Sequence, residues 1–129
     1  MTSAPRNPDT IHPPIGPYSH QVEVQGSPRW LAMAGQVGRT QDGIVPEDPI
    51  DQVELALENV RRNLDAAGMA VSDLVKVTWY LVGEIDARRR REVTSAWLDG
   101  HAPCSTLVYV AALAAPEYRV EVDAWACRA

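Results

Sequence analysis

The sequence is short of the residues from which several classes of protein are built. It has two cysteines, Cys104 and Cys127, too few for a disulfide framework, and they read as free thiols of a cytoplasmic protein. No Cys-x-x-Cys pair occurs. His101-x-x-Cys104 is half a zinc site, but His12 and His20 lie far from it along the chain, so neither a metal nor a cofactor is expected. No apolar run approaches the ~20 residues of a membrane-spanning helix, and Met1–Pro8 has no apolar signal core. Glycine-rich phosphate loops, Gly-x-Ser-x-Gly elbows and His-Glu-x-x-His are all missing. Positive charge is also scarce: 12 Lys and Arg against 17 Asp and Glu leave a net charge of -5. That balance argues against a nucleic-acid partner, whose phosphates must be neutralised. The one basic run, Arg88–Arg91, sits among Glu84, Asp86 and Glu92 in a helical stretch and reads as a solvated helix face.

What is present suits a single domain over residues 1–129, large enough to bury a core without staples. Five prolines in the first 17 residues fix φ and remove donors, predicting an extended arm over roughly residues 1–14 that Ile11 and Ile15 could anchor. Gln21–Val24 alternates as a short strand, and Gly26-Ser27-Pro28 suggests a hairpin connection to the apolar run Trp30–Val37. That run reads as a strand buried on both faces. Gly35 near its end marks a bulge or a close approach to the backbone. Asp48 as N-cap, Pro49 at the first helical position and Asp51 in the first turn start a helix. Val53, Leu57, Val60, Leu64 and Ala67 give it a buried stripe, Asp65 faces solvent, and Gly68 stops it.

A strand over Leu74–Val82 and a helix over Asp86–Asp99, with Val93 and Trp97 on one face, follow. Next comes the strand opening at Cys104. The last strand, Tyr118–Cys127, alternates Val120, Val122, Ala124 and Ala126 against Arg119, Glu121, Asp123 and Trp125. The order β-β-α-β-α-β-β predicts an α+β fold with two helices on one face of a sheet. The other face, with Trp125 on it, is left open, and an open apolar face predicts a homo-oligomer.

The chemistry concentrates on two strands. Pro103 delivers Cys104 to the mouth of one, with Ser105 and Thr106 beside it. Such a thiol is either a small buried hydrophobe or a nucleophile. His101 is a candidate base for it, or simply an exposed loop histidine. Glu121 and Asp123 share a face of the last strand about 7 Å apart. They are either solvated carboxylates or, if a second subunit covers them, a general acid/base. Arg119 could instead neutralise one of them. Tyr18, after a Gly-Pro turn, closes a pocket or anchors the arm.

An ordered series of short stretches resembles the Rid family (YjgF or RidA-like). It comprises Ile15-Gly16-Pro17-Tyr18-Ser19, Ala34-Gly35-Gln36-Val37, Ala56-Leu57-Glu58-Asn59-Val60 and Ala66-Ala67-Gly68. It continues through Val75-Lys76-Val77-Thr78, Pro103-Cys104-Ser105-Thr106 and Val120-Glu121-Val122-Asp123-Ala124. The resemblance implies a chorismate-mutase-like homotrimer with clefts between subunits. It also implies a hydrolase acting on small enamines or imines. By the same resemblance Tyr18, the backbone of Gly35 and Gln36, the start of the Cys104 strand and Glu121 form the pocket, with Glu121 positioning water. The family pattern Pro-x-Arg-Ser grips a substrate carboxylate with arginine. Ala102-Pro103-Cys104-Ser105 puts cysteine there, which loses a bidentate pair worth on the order of 2–5 kcal/mol and points away from 2-aminoacrylate. Two other readings stay open: a cysteine-nucleophile amidohydrolase using Cys104 and Glu121, and a non-catalytic small-metabolite-binding module.

Overall fold

The computed structural model describes all residues, 1–129. Its longest helix, α1 (Pro49–Ala66), starts as its sequence dictates. The Asp48 side chain accepts from Ile50 N at 2.8 Å, and Pro49 occupies the first turn, where its missing N–H is not needed. Val53, Leu57, Val60 and Leu64 are buried as a stripe. Beyond the helix end Gly68 takes φ +69°, the left-handed conformation that glycine adopts without strain. Asp65 stays outside, paired to Arg61 at 2.5 Å.

The stripe packs on a four-stranded mixed sheet made of β3 (Arg29–Val37), β4 (Leu74–Leu81), β5 (Cys104–Tyr109) and β6 (Val120–Arg128). Its strand order is β3-β6-β4-β5. β4 and β5 run parallel, joined by α2 (Ala87–Leu98), whereas β6 is antiparallel to both of its neighbours. Val120, Val122, Ala124 and Ala126 of β6 are fully buried beneath the helices, as their alternation requires. The protein is thus an α+β fold with two helices on one face of its main sheet.

Three features differ from the sequence expectation. The proline-rich start is extended, but residues Thr2–Arg6 form a strand, β1, paired antiparallel with β2 (Gln21–Gln25). Pro5 is tolerated because a two-stranded ribbon has only edges. β2 and β3 do not form a hairpin: β2 pairs with β1 in a separate sheet, and β3 pairs with β6. Nor is β3 buried on both faces. Leu31 and Met33 turn toward the helices, while Trp30 is 52 % exposed on the other side.

Loops are held to the body by one buried polar residue. Gln52 on α1, 1 % exposed, donates to Pro46 O at 2.8 Å and Glu117 O at 3.0 Å and accepts from Arg119 N at 2.8 Å. Both of its N–H donors and its carbonyl oxygen find backbone partners, so its burial leaves no polar atom unpaired. The bonds pin the segment that feeds β6.

Candidate functional site

The open face of the sheet is laid out by register. Trp30 and Ala32 of β3, Glu121, Asp123 and Trp125 of β6, Lys76, Thr78 and Tyr80 of β4, and Cys104, Thr106 and Val108 of β5 all point away from the helices. Trp30 and Trp125 meet edge to face, ring centroids 6.4 Å apart, and Trp125 is 48 % exposed. Lys76 Nζ donates to Thr106 Oγ1 at 2.6 Å. Tyr80 Oη donates to Asp123 Oδ2 at 2.9 Å, and that bond, with burial second, holds the phenol above its ordinary pKa. Asp123 is therefore already engaged.

Glu121 has a different surrounding. The β3–β6 register shifts between Met33 and Gln36, so Gly35 lies in a bulge, where the ladder is interrupted. The Glu121 carboxylate lies across Gly35: a Cβ built there would sit 2.6 Å from Glu121 Cδ. Both features expected at Gly35, the bulge and the close approach, are present. The Gln36 side chain turns back, Nε2 donating to Ala34 O at 2.9 Å.

At the far edge, the residue 15–20 segment is sewn to the start of β5. Ser19 N donates to Pro103 O at 3.2 Å, and the Cys104 thiol lies 3.7 Å from His20 O as a weak donor. The His20 ring sits edge-on to Tyr18, centroids 5.7 Å apart, and its Nε2 is 2.7 Å from His12 O. Tyr18 Oη accepts from Ile15 N at 3.2 Å. Tyr18 also borders a cleft of about 390 Å³ on the helix side of β4 and β5. The next β5 side chains after Cys104 on that side, Ser105 and Leu107, line it together with Val77, Trp79, Arg90 and Thr94.

The expected site residues therefore fall into two groups within one chain. Glu121, Gly35 and Gln36 lie together at the β3–β6 bulge. Tyr18 and Cys104 lie together at the mouth of β5, with the Tyr18 ring toward the cleft and the thiol on the opposite face of the strand. Cys104 and Glu121 are two strands apart and four residues out of register, roughly 16 Å by strand geometry.

Two proposed helpers have other partners. His101 is not an exposed base: its Nε2 is 2.7 Å from Leu74 O. Arg119 does not neutralise the carboxylates; it donates to Val82 O at 2.8 Å and Glu84 O at 2.9 Å. The basic run is not uniformly solvated either, because Arg90 is half-buried against the cleft. Its spacing to Thr94 and Leu98, the buried residues of α2, was a signal that the charge run hid.

The family model described as Endoribonuclease L-PSP matches residues 10–128. The chain belongs to the Rid (YjgF) family. It is similar to TdcF of Escherichia coli K12, with 35% identity over 88% of each chain. It is also similar to mouse 2-iminobutanoate/2-iminopropanoate deaminase, with 33% identity over 85% of this chain and 80% of that one. Among solved structures, the Rid protein YyfB of Yersinia pestis superposes with a TM-score of 0.87 at 33% identity, covering 99% of this chain and 100% of that one. No helix of this Rid-family chain is long and apolar enough to cross a membrane.

Proposed function

We propose that the protein is a Rid-type hydrolase that converts small imines, or enamines after tautomerisation, to carbonyl compounds and ammonia. The observation that carries this reading is the Glu121 carboxylate lying across the exposed Gly35 bulge. A carboxylate beside an interrupted ladder can serve as a base there, and a bulge leaves backbone groups off the ladder that can act as fixed dipoles toward C=N. Glu121 takes a proton from water as its oxygen bonds to the imine carbon and passes that proton to the nitrogen. The carbinolamine then collapses: the hydroxyl proton is transferred to the amino nitrogen, the C–N bond breaks, and ammonia leaves the carbonyl product. The activity named for the mouse relative, a deaminase of 2-iminobutanoate and 2-iminopropanoate, supports the reaction class. Cys104 at the start of β5 stands where the family's carboxylate-gripping arginine is expected. The substrate is therefore expected to differ from 2-aminoacrylate, and 2-iminobutanoate serves below as a probe of imine hydrolysis rather than as that substrate.

The active site in this proposal lies between copies of the chain in a homotrimer. One protomer supplies Tyr18 and the mouth of β5, and its neighbour supplies Gly35, Gln36 and Glu121. The roughly 16 Å between Cys104 and Glu121 along one sheet and the exposed Trp30 and Trp125 support that arrangement. Cys104 shapes the pocket in this account, because its thiol leans on His20 O and His101 is bound elsewhere. A small molecule is favoured over RNA by the net charge of -5. The engagement of Arg88 with Glu92 and of Arg89 with Asp48 further weakens any basic face. The unbridged thiols suit the cytoplasm.

The test is to generate 2-iminobutanoate in situ with an amino-acid oxidase and follow its conversion to the 2-oxo acid. Added protein should shorten the imine's lifetime, and Cys104→Ala should retain that effect. If other small imines also decay at the buffer rate, the hydrolase reading fails and the metabolite-binding alternative takes its place. Loss of turnover in Cys104→Ala would instead favour the nucleophile.

A further inference from the structure

The run Arg88–Arg91 divides by partner. Arg88 pairs with Glu92 at 2.7 Å and Arg89 with Asp48 at 3.3 Å. Arg90 has no ion pair, and its Nε is buried without any hydrogen-bond partner. The helical period explains its position: Arg90, Thr94 and Leu98 follow at i, i+4 and i+8 on the inner face of α2, and Thr94 and Leu98 are 8% and 6% exposed. Thr94 Oγ1 donates to Arg90 O at 2.9 Å, fixing the first turn of that stripe. Its two terminal nitrogens are neither buried nor bonded within the chain, so they are the donors for which something outside it could supply an acceptor.

The cleft in front of Arg90 shows what could. Its lining is apolar at Val77, Trp79 and Leu107, and Tyr18 and Ser105 border it as well. Arg91 is a second cation on its wall, and no aspartate or glutamate lines it. Its volume of about 390 Å³ is within the range of small-molecule sites. Burial is the main influence lowering the Arg90 pKa from its ordinary value, with Arg91 adding to the effect, yet a guanidinium remains charged at neutral pH. The site therefore combines an uncompensated planar cation with an apolar lining.

We propose that Arg90 of α2 is a ligand-gripping residue that binds the carboxylate of a small aliphatic acid in this cleft. It deepens the hydrolase reading by assigning the charged end of the substrate, and rests on that reading only for the ligand's identity. A carboxylate fits better than a larger or more highly charged anion, because two oxygens match the guanidinium fork and a short chain covers Val77, Trp79 and Leu107.

The experiment titrates butanoate and its uncharged analogue butanamide into the full-length protein, following the Trp79 indole resonance by NMR. Butanoate should bind saturably, and butanamide about tenfold or more weakly, the difference a charge-assisted pair provides. Arg90→Gln should weaken butanoate by a similar factor and leave butanamide unchanged, while Arg91→Gln should do much less. Arg90→Lys, which keeps the charge without the fork, should fall between and guards against a folding defect in Arg90→Gln. Equal binding of the two probes, or butanoate affinity unchanged in both Arg90 variants, would overturn the proposal. Arg90-dependent butanoate binding without any imine hydrolysis would keep this subsite and reject the hydrolase reading. Hydrolysis without Arg90-dependent butanoate binding would do the reverse.

Discussion

Replacing Gln52 by leucine tests how the loops that carry the site are held. The two side chains are similar in volume, so the change opens little cavity and isolates the polar contribution. It removes three hydrogen bonds, to Pro46 O, Glu117 O and from Arg119 N. At about 1 kcal/mol net per bond, and more where the abandoned backbone group stays dry, the loss is about 3–4 kcal/mol. Burying leucine in place of an amide returns about 1 kcal/mol. The net destabilisation is therefore about 2–3 kcal/mol, which lowers Tm by roughly 8–12 °C in a domain of this size. Urea unfolding should show a lower midpoint with the same slope. Hydrogen exchange should accelerate first at the amides of residues 117–120. A change below about 0.5 kcal/mol would refute the argument that Gln52 holds these segments.

Three further outcomes follow from named contacts. Gly35→Ala places a methyl where the Glu121 carboxylate lies. Because the obstacle is the end of a flexible side chain, Tm should move little, by about 1 kcal/mol or less in stability, while imine hydrolysis falls more than tenfold, about 1.4 kcal/mol in barrier. The Asp48 carboxyl is held below its ordinary pKa chiefly by the Ile50 N–H, with Arg89 helping against burial. A lowered folded pKa means stabilisation that is full above the unfolded value of about 3.9 and lost as pH falls through the folded one. In acid unfolding the advantage of wild type over Asp48→Asn should therefore shrink as pH drops below about 4. Replacing both Trp30 and Trp125 by serine removes the apolar pair on the open face, so sedimentation should show a smaller assembly at micromolar protein with helix content retained.

Elements whose residues all report the same environment were legible in the sequence. α1 shows cap, proline, stripe and stop in order, and β6 alternates from Val120 to Ala126. Gly35 announced its bulge because a glycine inside an apolar strand has few other reasons to be there. The sequence of β1 suggests only an extended arm because its strand character comes from pairing with β2 rather than from propensity. β3 looks doubly buried because both of its faces carry apolar residues, although the outer one, with Trp30, is exposed in the chain. Gln52 and Arg90 were hidden for opposite reasons. An amide on an apolar stripe carries no hint that three backbone groups will meet it. A charge inside a run of four is read with its neighbours, although its spacing to Thr94 and Leu98 already placed it inward. Cys104 drew attention by its chemistry, yet β alternation turns Ser105, not the thiol, into the cleft.

Activation of water by Glu121 for imine hydrolysis is tested by the rate of 2-iminobutanoate decay with Glu121→Gln beside wild type. The amide keeps the size of the side chain and its place across Gly35 but cannot take a proton. The catalysed rate should fall by about 10²–10⁴-fold with Tm unchanged. A Glu121→Gln protein that hydrolyses the imine at the wild-type rate would contradict that role of the carboxylate.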